Sequence, residues 1–182
     1  MKRFLILGAV LAAALQTAAL VKMITDRAAM LRTGAEVILE TGFIDPRDIF
    51  RGHYVILRLE ISQLAKASLP DADVPENAVP MDIWAELVPG DNGFWKVQNL
   101  HSALPNTDNP ILMGRLNYSY GDTYNITFPV DRYFAPRKRA EELEQYRRDD
   151  KLGVILALSK TGNAAVKGIT VEGEPIYLEP LY

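Results

Sequence analysis

His53 and His101 are the only imidazoles in this 182-residue chain, and it contains no cysteine. Thiolate nucleophiles, disulfides, cysteine zinc sites and iron–sulfur ligation are therefore excluded. A metal would have to be gathered by the two histidines with Asp or Glu from distant strands, and no paired spacing such as His-x-His prepares that. No metal and no cofactor are expected. Ser62 and Ser68 lie close in sequence to Lys66, a set from which a Ser/Lys hydrolase of signal-peptidase type can be imagined, with the lysine amine taking the serine proton. Nothing in the spacing marks either serine as the nucleophile, so an enzyme is the less favoured reading.

Two further patterns have both a functional and a bland reading. Gly52-His53 ahead of an apolar alternation either presents a titratable ring or makes a tight turn that needs a residue without Cβ, and the turn is preferred. Arg132, Tyr133 and Phe134 lead through Pro136 into a segment carrying Arg137, Lys138 and Arg139 beside Glu141, Glu142 and Glu144. That segment can be a charged docking face, or an ordinary helix over packed aromatics with i,i+4 pairs such as Lys138 with Glu142. The Asn125-Ile126-Thr127 triplet fits a glycosylation acceptor but is too short a pattern to use.

The elements that must position these residues start with an anchor. Lys2 and Arg3 precede residues 4–21, which are apolar except for Gln16 and Thr17. At about 1.5 Å per residue this stretch matches the roughly 30 Å hydrocarbon core of a bilayer. A retained anchor is preferred over a signal peptide cleaved after the small residues 17–19, and over a buried core helix. Basic residues flank both sides, with Lys22, Arg27 and Arg32 balancing the terminus, so the charge rule does not decide orientation. The short leading tail favours an exported carboxyl part. All 23 acidic residues and 18 of the 20 basic ones follow Val21, leaving that part at net −5, which argues against nucleic acid as a partner.

Beyond the anchor, a helical pattern runs through residues 22–32 to a stop at Gly34, followed by a short apolar run at residues 37–39. Residues 53–62 alternate as a strand, with His53, Val55, Leu57, Leu59 and Ile61 on one side. Residues 66–80, with Pro70, Pro75 and Pro80, read as an exposed mobile connection. Residues 81–88 and 94–100 form a hairpin around Pro89-Gly90-Asp91-Asn92-Gly93, and residues 111–120 and 123–128 a second around Gly121-Asp122. Residues 137–148 read as the soluble helix, and residues 153–158, 164–171 and 175–178 as a closing meander. The expected fold is mainly β or α+β: a curled antiparallel sheet or small barrel with one covering helix, preceded by a transmembrane helix. The expected division is 1–33 for anchor and stalk and 34–182 for the exported β-rich domain.

Three blocks carry a family resemblance. DPRDIF at residues 45–50 with RGHYVILRL at residues 51–59 resembles the motif of the membrane-anchored GDYXXLXY family, with Gly52, Tyr54 and Leu57 matching, His53 in place of Asp and Leu59 in place of the last Tyr. DRYFAP at residues 131–136 followed by EELE at residues 141–144 resembles that family's Arg-Tyr-Phe segment and acidic helix, although Arg137 stands where an acidic residue is usual. VKGITVEGEPIY at residues 166–177 is similar to its carboxyl-terminal hairpin. The resemblance marks Arg51, Gly52, His53, Tyr54, Leu57, Arg132, Tyr133, Phe134, Pro136 and Glu144 as structural or interaction residues. It implies an exported domain on one membrane helix, often encoded beside multispanning membrane proteins, and no activity; the expected place is the bacterial cytoplasmic membrane, single-pass, with the carboxyl-terminal domain periplasmic or extracytoplasmic. The function expected is binding or assembly as an envelope accessory, in contact with lipid through residues 4–21 and with an integral membrane protein. A tethered hydrolase is the alternative, and a sensor for a small envelope molecule a third class.

Overall fold

The computed structural model describes residues 2–44, 55–75, 80–130, 132–133 and 152–178. One long helix, α1 (Lys2–Thr33), leads directly into β1 (Ala35–Ile44). Ten further strands follow: β2 (Val55–Leu59), β3 (Gln63–Ala65), β4 (Met81–Pro89), β5 (Trp95–His101), β6 (Ile111–Tyr120), β7 (Thr123–Thr127), β8 (Arg132–Tyr133), β9 (Leu152–Leu158), β10 (Ala164–Val171) and β11 (Glu174–Leu178). They form a six-stranded sheet in the order β11-β10-β9-β1-β2-β8 and a five-stranded sheet in the order β3-β7-β6-β4-β5, with every ladder antiparallel. β1 joins two parts of the larger sheet, because residues 35–40 pair with β9 and residues 41–44 with β2. The protein is thus mostly sheet, curled into a half-barrel behind one amino-terminal helix.

Strand alternation fills the space between the sheets. Val37 and Leu39 of β1 and Val154, Leu156 and Leu158 of β9 meet Ile83, Ala85 and Leu87 of β4 and Leu112 and Leu116 of β6, all at 2% exposure or less. Each large aliphatic side chain withdrawn from water here contributes about 1.5–3 kcal/mol. All seven residues of β9 are buried, so this central strand is covered on both faces.

One cover on the outer face is α1 itself. Leu31, buried, packs on Ala157 and Ala165 with Met30 beside it. The two alanines let the helix come close, and Gly34 lets the chain turn without a gap. A Cβ at Gly34 would meet Met30 O at 2.5 Å and Leu158 O at 2.9 Å. A second cover comes from the β4–β5 turn. Phe94, 5% exposed, sits where a Cβ on Gly153 would meet its ring at 2.6 Å and the Thr170 hydroxyl at 2.5 Å. Thr170 is fully buried and its Oγ1 has no partner among the described residues.

The anchor helix, the strand core, both hairpins and the closing meander lie where the residue pattern puts them. Three features differ. The run at residues 37–39 is part of a ten-residue strand. The alternation at residues 53–62 is strand only through Leu59, after which Glu60–Ser62 makes a 3₁₀ turn that points Ile61 into the core. The described part of the expected connection, residues 66–75, is held in place: Leu69 is buried in the core, and Asp73 N donates to Leu100 O at 2.9 Å, strapping the segment to β5. The covering helix expected at residues 137–148 lies outside the described residues; among the described residues, the end of α1 packs on the larger sheet.

An unpaired buried hydroxyl costs about 1–3 kcal/mol. Thr170→Val, which keeps the shape and removes the hydroxyl, is therefore expected to raise the thermal midpoint by a few degrees in calorimetry. A lower midpoint would mean that the hydroxyl has a partner in solution.

Candidate functional site

The densest polar arrangement lies on the outer side of the five-stranded sheet. On β4, Ile83, Ala85 and Leu87 turn inward, so Trp84 and Glu86 turn out. Glu86 pairs with Asn99 and Trp84 with His101, so the His101 ring is the diagonal neighbour of Glu86 on the same face of the sheet, within reach of a long side chain. The Glu86 carboxylate accepts from Thr107 Oγ1 at 2.6 Å and Asn109 Nδ2 at 2.8 Å on one oxygen, and meets His101 Nε2 at 3.0 Å on the other. The Glu86 and His101 side chains are 14% and 23% exposed. Leu87 N donates to Pro110 O at 2.8 Å, so the connection between β5 and β6 is tied down at both backbone and side chain. Ser102 Oγ donates to Asp73 Oδ2 at 2.7 Å at its start.

These bonds hold Glu86 below its ordinary carboxylate pKa of 4.5. The Thr107 hydroxyl is the largest cause, followed by the Asn109 amide, with His101 adding its hydrogen bond and charge against a modest desolvation. With both oxygens engaged, the carboxylate is unsuited to taking a proton from a substrate. Its chemistry is that of a fastener for residues 102–110.

Beside that fastened connection runs a groove of about 690 Å³ along the end of α1, lined by Met30 and Thr33 of the helix, Pro105 and Asn109 of the connection, Leu158 at the end of β9 and Lys160 of the β9–β10 turn. The turn forming its third wall is latched to the other sheet. Trp84 Nε1 donates to Thr161 O at 3.3 Å and Met113 N to Gly162 O at 2.8 Å. Gly162 has φ +89°, a conformation that favours glycine, and a Cβ there would meet Met113 N at 2.9 Å. A second hollow, of about 400 Å³, lies between Glu40, Glu60 and Asp91 on one side and Phe94, Trp95 and Lys96 on the other, with Asn92 Nδ2 reaching Glu40 at 3.4 Å.

The residues singled out from sequence fare unevenly. Arg51, Gly52, His53, Tyr54, Phe134, Pro136 and Glu144 lie outside the described residues. Leu57 pairs with Phe43 across β1–β2, while Arg132 and Tyr133 form β8 and pair with Ile56 and Val55. Two blocks of the resemblance, paired through residues 76 and 78 places apart in the chain, are thereby joined edge to edge in one sheet. His101 serves the Glu86 cluster, and among the described residues no group of three His, Asp or Glu is placed to hold a metal ion. The Ser/Lys set is not assembled: Ser68 Oγ is bonded to Ala65 O at 2.6 Å, and the Lys66 ammonium stands over the Tyr124 ring at 5.6 Å. Sequence reasoning missed Glu86, Thr107 and Asn109. Glu86 did sit at an outward position of an alternating strand, but nothing local tied it to residues 21 and 23 places on.

A family model described as GDYXXLXY protein matches residues 16–169, most of the chain. No curated protein and no solved structure matches it.

Replacing Glu86 by Gln is expected to loosen the 102–110 connection and cost about 1–3 kcal/mol at neutral pH. Since the folded-state pKa is depressed, the carboxylate's contribution is complete above pH 4.5 and is lost as the pH falls through the lower folded value. Urea midpoints of wild type and Glu86→Gln should therefore converge below pH 4.5, and a gap unchanged by acid would contradict the assignment.

Proposed function

The chain belongs to the GDYXXLXY family, and on that premise we propose that it is a membrane-anchored accessory protein, with an extracytoplasmic β domain that binds or assembles with an integral membrane protein. The observation that carries this reading is the state of α1. Phe4, Ile6, Leu7, Val10, Leu11, Leu15, Leu20, Val21, Met23 and Ile24 are all more than half exposed, from Val21 at 53% to Phe4 at 79%. Leaving each such side chain in water forgoes about 1.5–3 kcal/mol, a loss that hydrocarbon removes. The helix is long and apolar enough to cross a membrane over Ile6–Thr33.

Retention of the helix is favoured over cleavage. Its last turn supplies Leu31 and Met30 to the packing of the β domain, and the family match begins at residue 16, inside the span. Basic residues flank both sides of the apolar stretch, so the proposed periplasmic side for the β domain is left to the test below. Binding rather than turnover suits a domain whose most ordered polar cluster is spent on holding a connection, with a groove beside it.

Carbonate washing of membranes from cells expressing the full chain, combined with protease treatment of spheroplasts, tests this directly. The protein should stay in the pellet, and a tag after Tyr182 should be digested from outside. Release by carbonate, or a tag protected until lysis, would overturn the reading.

A further inference from the structure

We propose that the groove beside Met30 and Thr33 holds the headgroup of a zwitterionic phospholipid, with its ammonium on Asp108 and its phosphate on Lys160. This rests on α1 being a membrane span and names a ligand for the surface next to it. The polar side chains along the groove fall into two sets. Thr33 Oγ1 donates to Ala29 O at 2.9 Å, Thr107 and Asn109 are held by Glu86, and Ser159 Oγ accepts from Asn163 N at 3.0 Å, so these are spent on the fold. Asn106, Asp108 and Lys160 line the same groove, are exposed, and have no hydrogen-bond or ion-pair partner among the described residues.

A carboxylate on the 102–110 connection and an ammonium on the β9–β10 turn thus stand on two walls of one groove without pairing with each other. A ligand that carries a cation and an anion a few bonds apart satisfies both, and the Asn106 amide has an oxygen for the one and N–H donors for the other. A purely anionic ligand would meet Asp108 as a like charge, and a purely cationic one would meet Lys160 in the same way.

The height of the groove selects the source of that ligand. The exposed apolar side chains of α1 run from Phe4 to Ile24, about 31 Å of helix, which matches the hydrocarbon thickness. Met30 stands about 9 Å beyond Ile24, at the outer edge of a headgroup layer roughly 5–8 Å deep. Met23, about two turns below Met30 on the same side and exposed, continues the apolar wall down to the hydrocarbon. Asp26, which lies between them, is already paired with Lys22 at 2.6 Å. An acyl chain leaving the groove therefore has an apolar track along the helix, which a soluble zwitterion cannot use. Walls fastened in advance and a volume of about 690 Å³ suit a small-ligand site.

Native mass spectrometry of the full chain in mild detergent, with equal amounts of palmitoyl-oleoyl phosphatidylethanolamine and phosphatidylglycerol, reads the site. One phosphatidylethanolamine adduct per chain should dominate. Asp108→Asn should abolish the preference between the two lipids, and Lys160→Gln should lower both adducts roughly threefold or more, with neither exposed substitution moving the thermal midpoint. Equal adducts of the two lipids on the wild type, adducts indifferent to both substitutions, displacement by an equal concentration of soluble glycerophosphoethanolamine, or dimers of the chain in place of the adduct would overturn the proposal. If the chain itself leaves the carbonate pellet, the membrane reading falls and the proposal with it. If the chain stays and the adducts ignore Asp108 and Lys160, the proposal alone fails.

Discussion

Leu31 of α1 seated on Ala157 and Ala165 is the contact that makes one body of the helix and the sandwich. A helix ending in a flexible tether would leave the β domain free to tumble over the membrane. Here the helix axis is brought against the outer face of the larger sheet by two residues with minimal side chains, and Gly34 carries the chain into β1 with no room for even a methyl group. The orientation of everything beyond residue 35 follows from how the helix lies.

The remaining structure maintains the surroundings of that seat. Ala157 and Ala165 belong to β9 and β10, and the turn joining those strands is bonded across to Trp84 and Met113 of the smaller sheet. The smaller sheet in turn fastens residues 102–110 through Glu86. Helix end, turn and fastened connection are the three walls of one groove, each held by a different interaction: apolar packing, a backbone latch and a hydrogen-bonded carboxylate. Fixing three walls by independent means keeps the shape of the groove when any one residue moves.

Local pattern made much of this fold readable. The long apolar helix announced itself by length and lack of charge, and the hairpins by alternation broken at Gly-Asp or Asp-Asn turns. Gly34 was legible as a stop, although its reason, the closeness of Leu158 O, is a long-range fact. What stayed hidden depends on partners distant in sequence. Leu69 among prolines and acids looked like part of a free connection, yet one buried leucine and a single backbone bond to Leu100 hold it. The pairing of β8 with β2, which joins the Arg132-Tyr133 and Leu57 blocks, is two residues long and carries no periodic signal. The Glu86 cluster was invisible for a related reason, since a lone outward glutamate is ordinarily solvated and only the pairing of β4 with β5 and the course of residues 102–110 show what it meets.

Since the chain contains no cysteine, two spin labels can be placed without background. Thr25→Cys on the exposed stretch of α1 and Asp122→Cys at the β6–β7 turn, both exposed, put one label on each side of the seat. Pulsed dipolar spectroscopy of the full chain in nanodiscs should give a single narrow distance distribution that broadens when Leu31→Asp is added. A distribution already broad with Leu31 in place would contradict a helix and sandwich acting as one body.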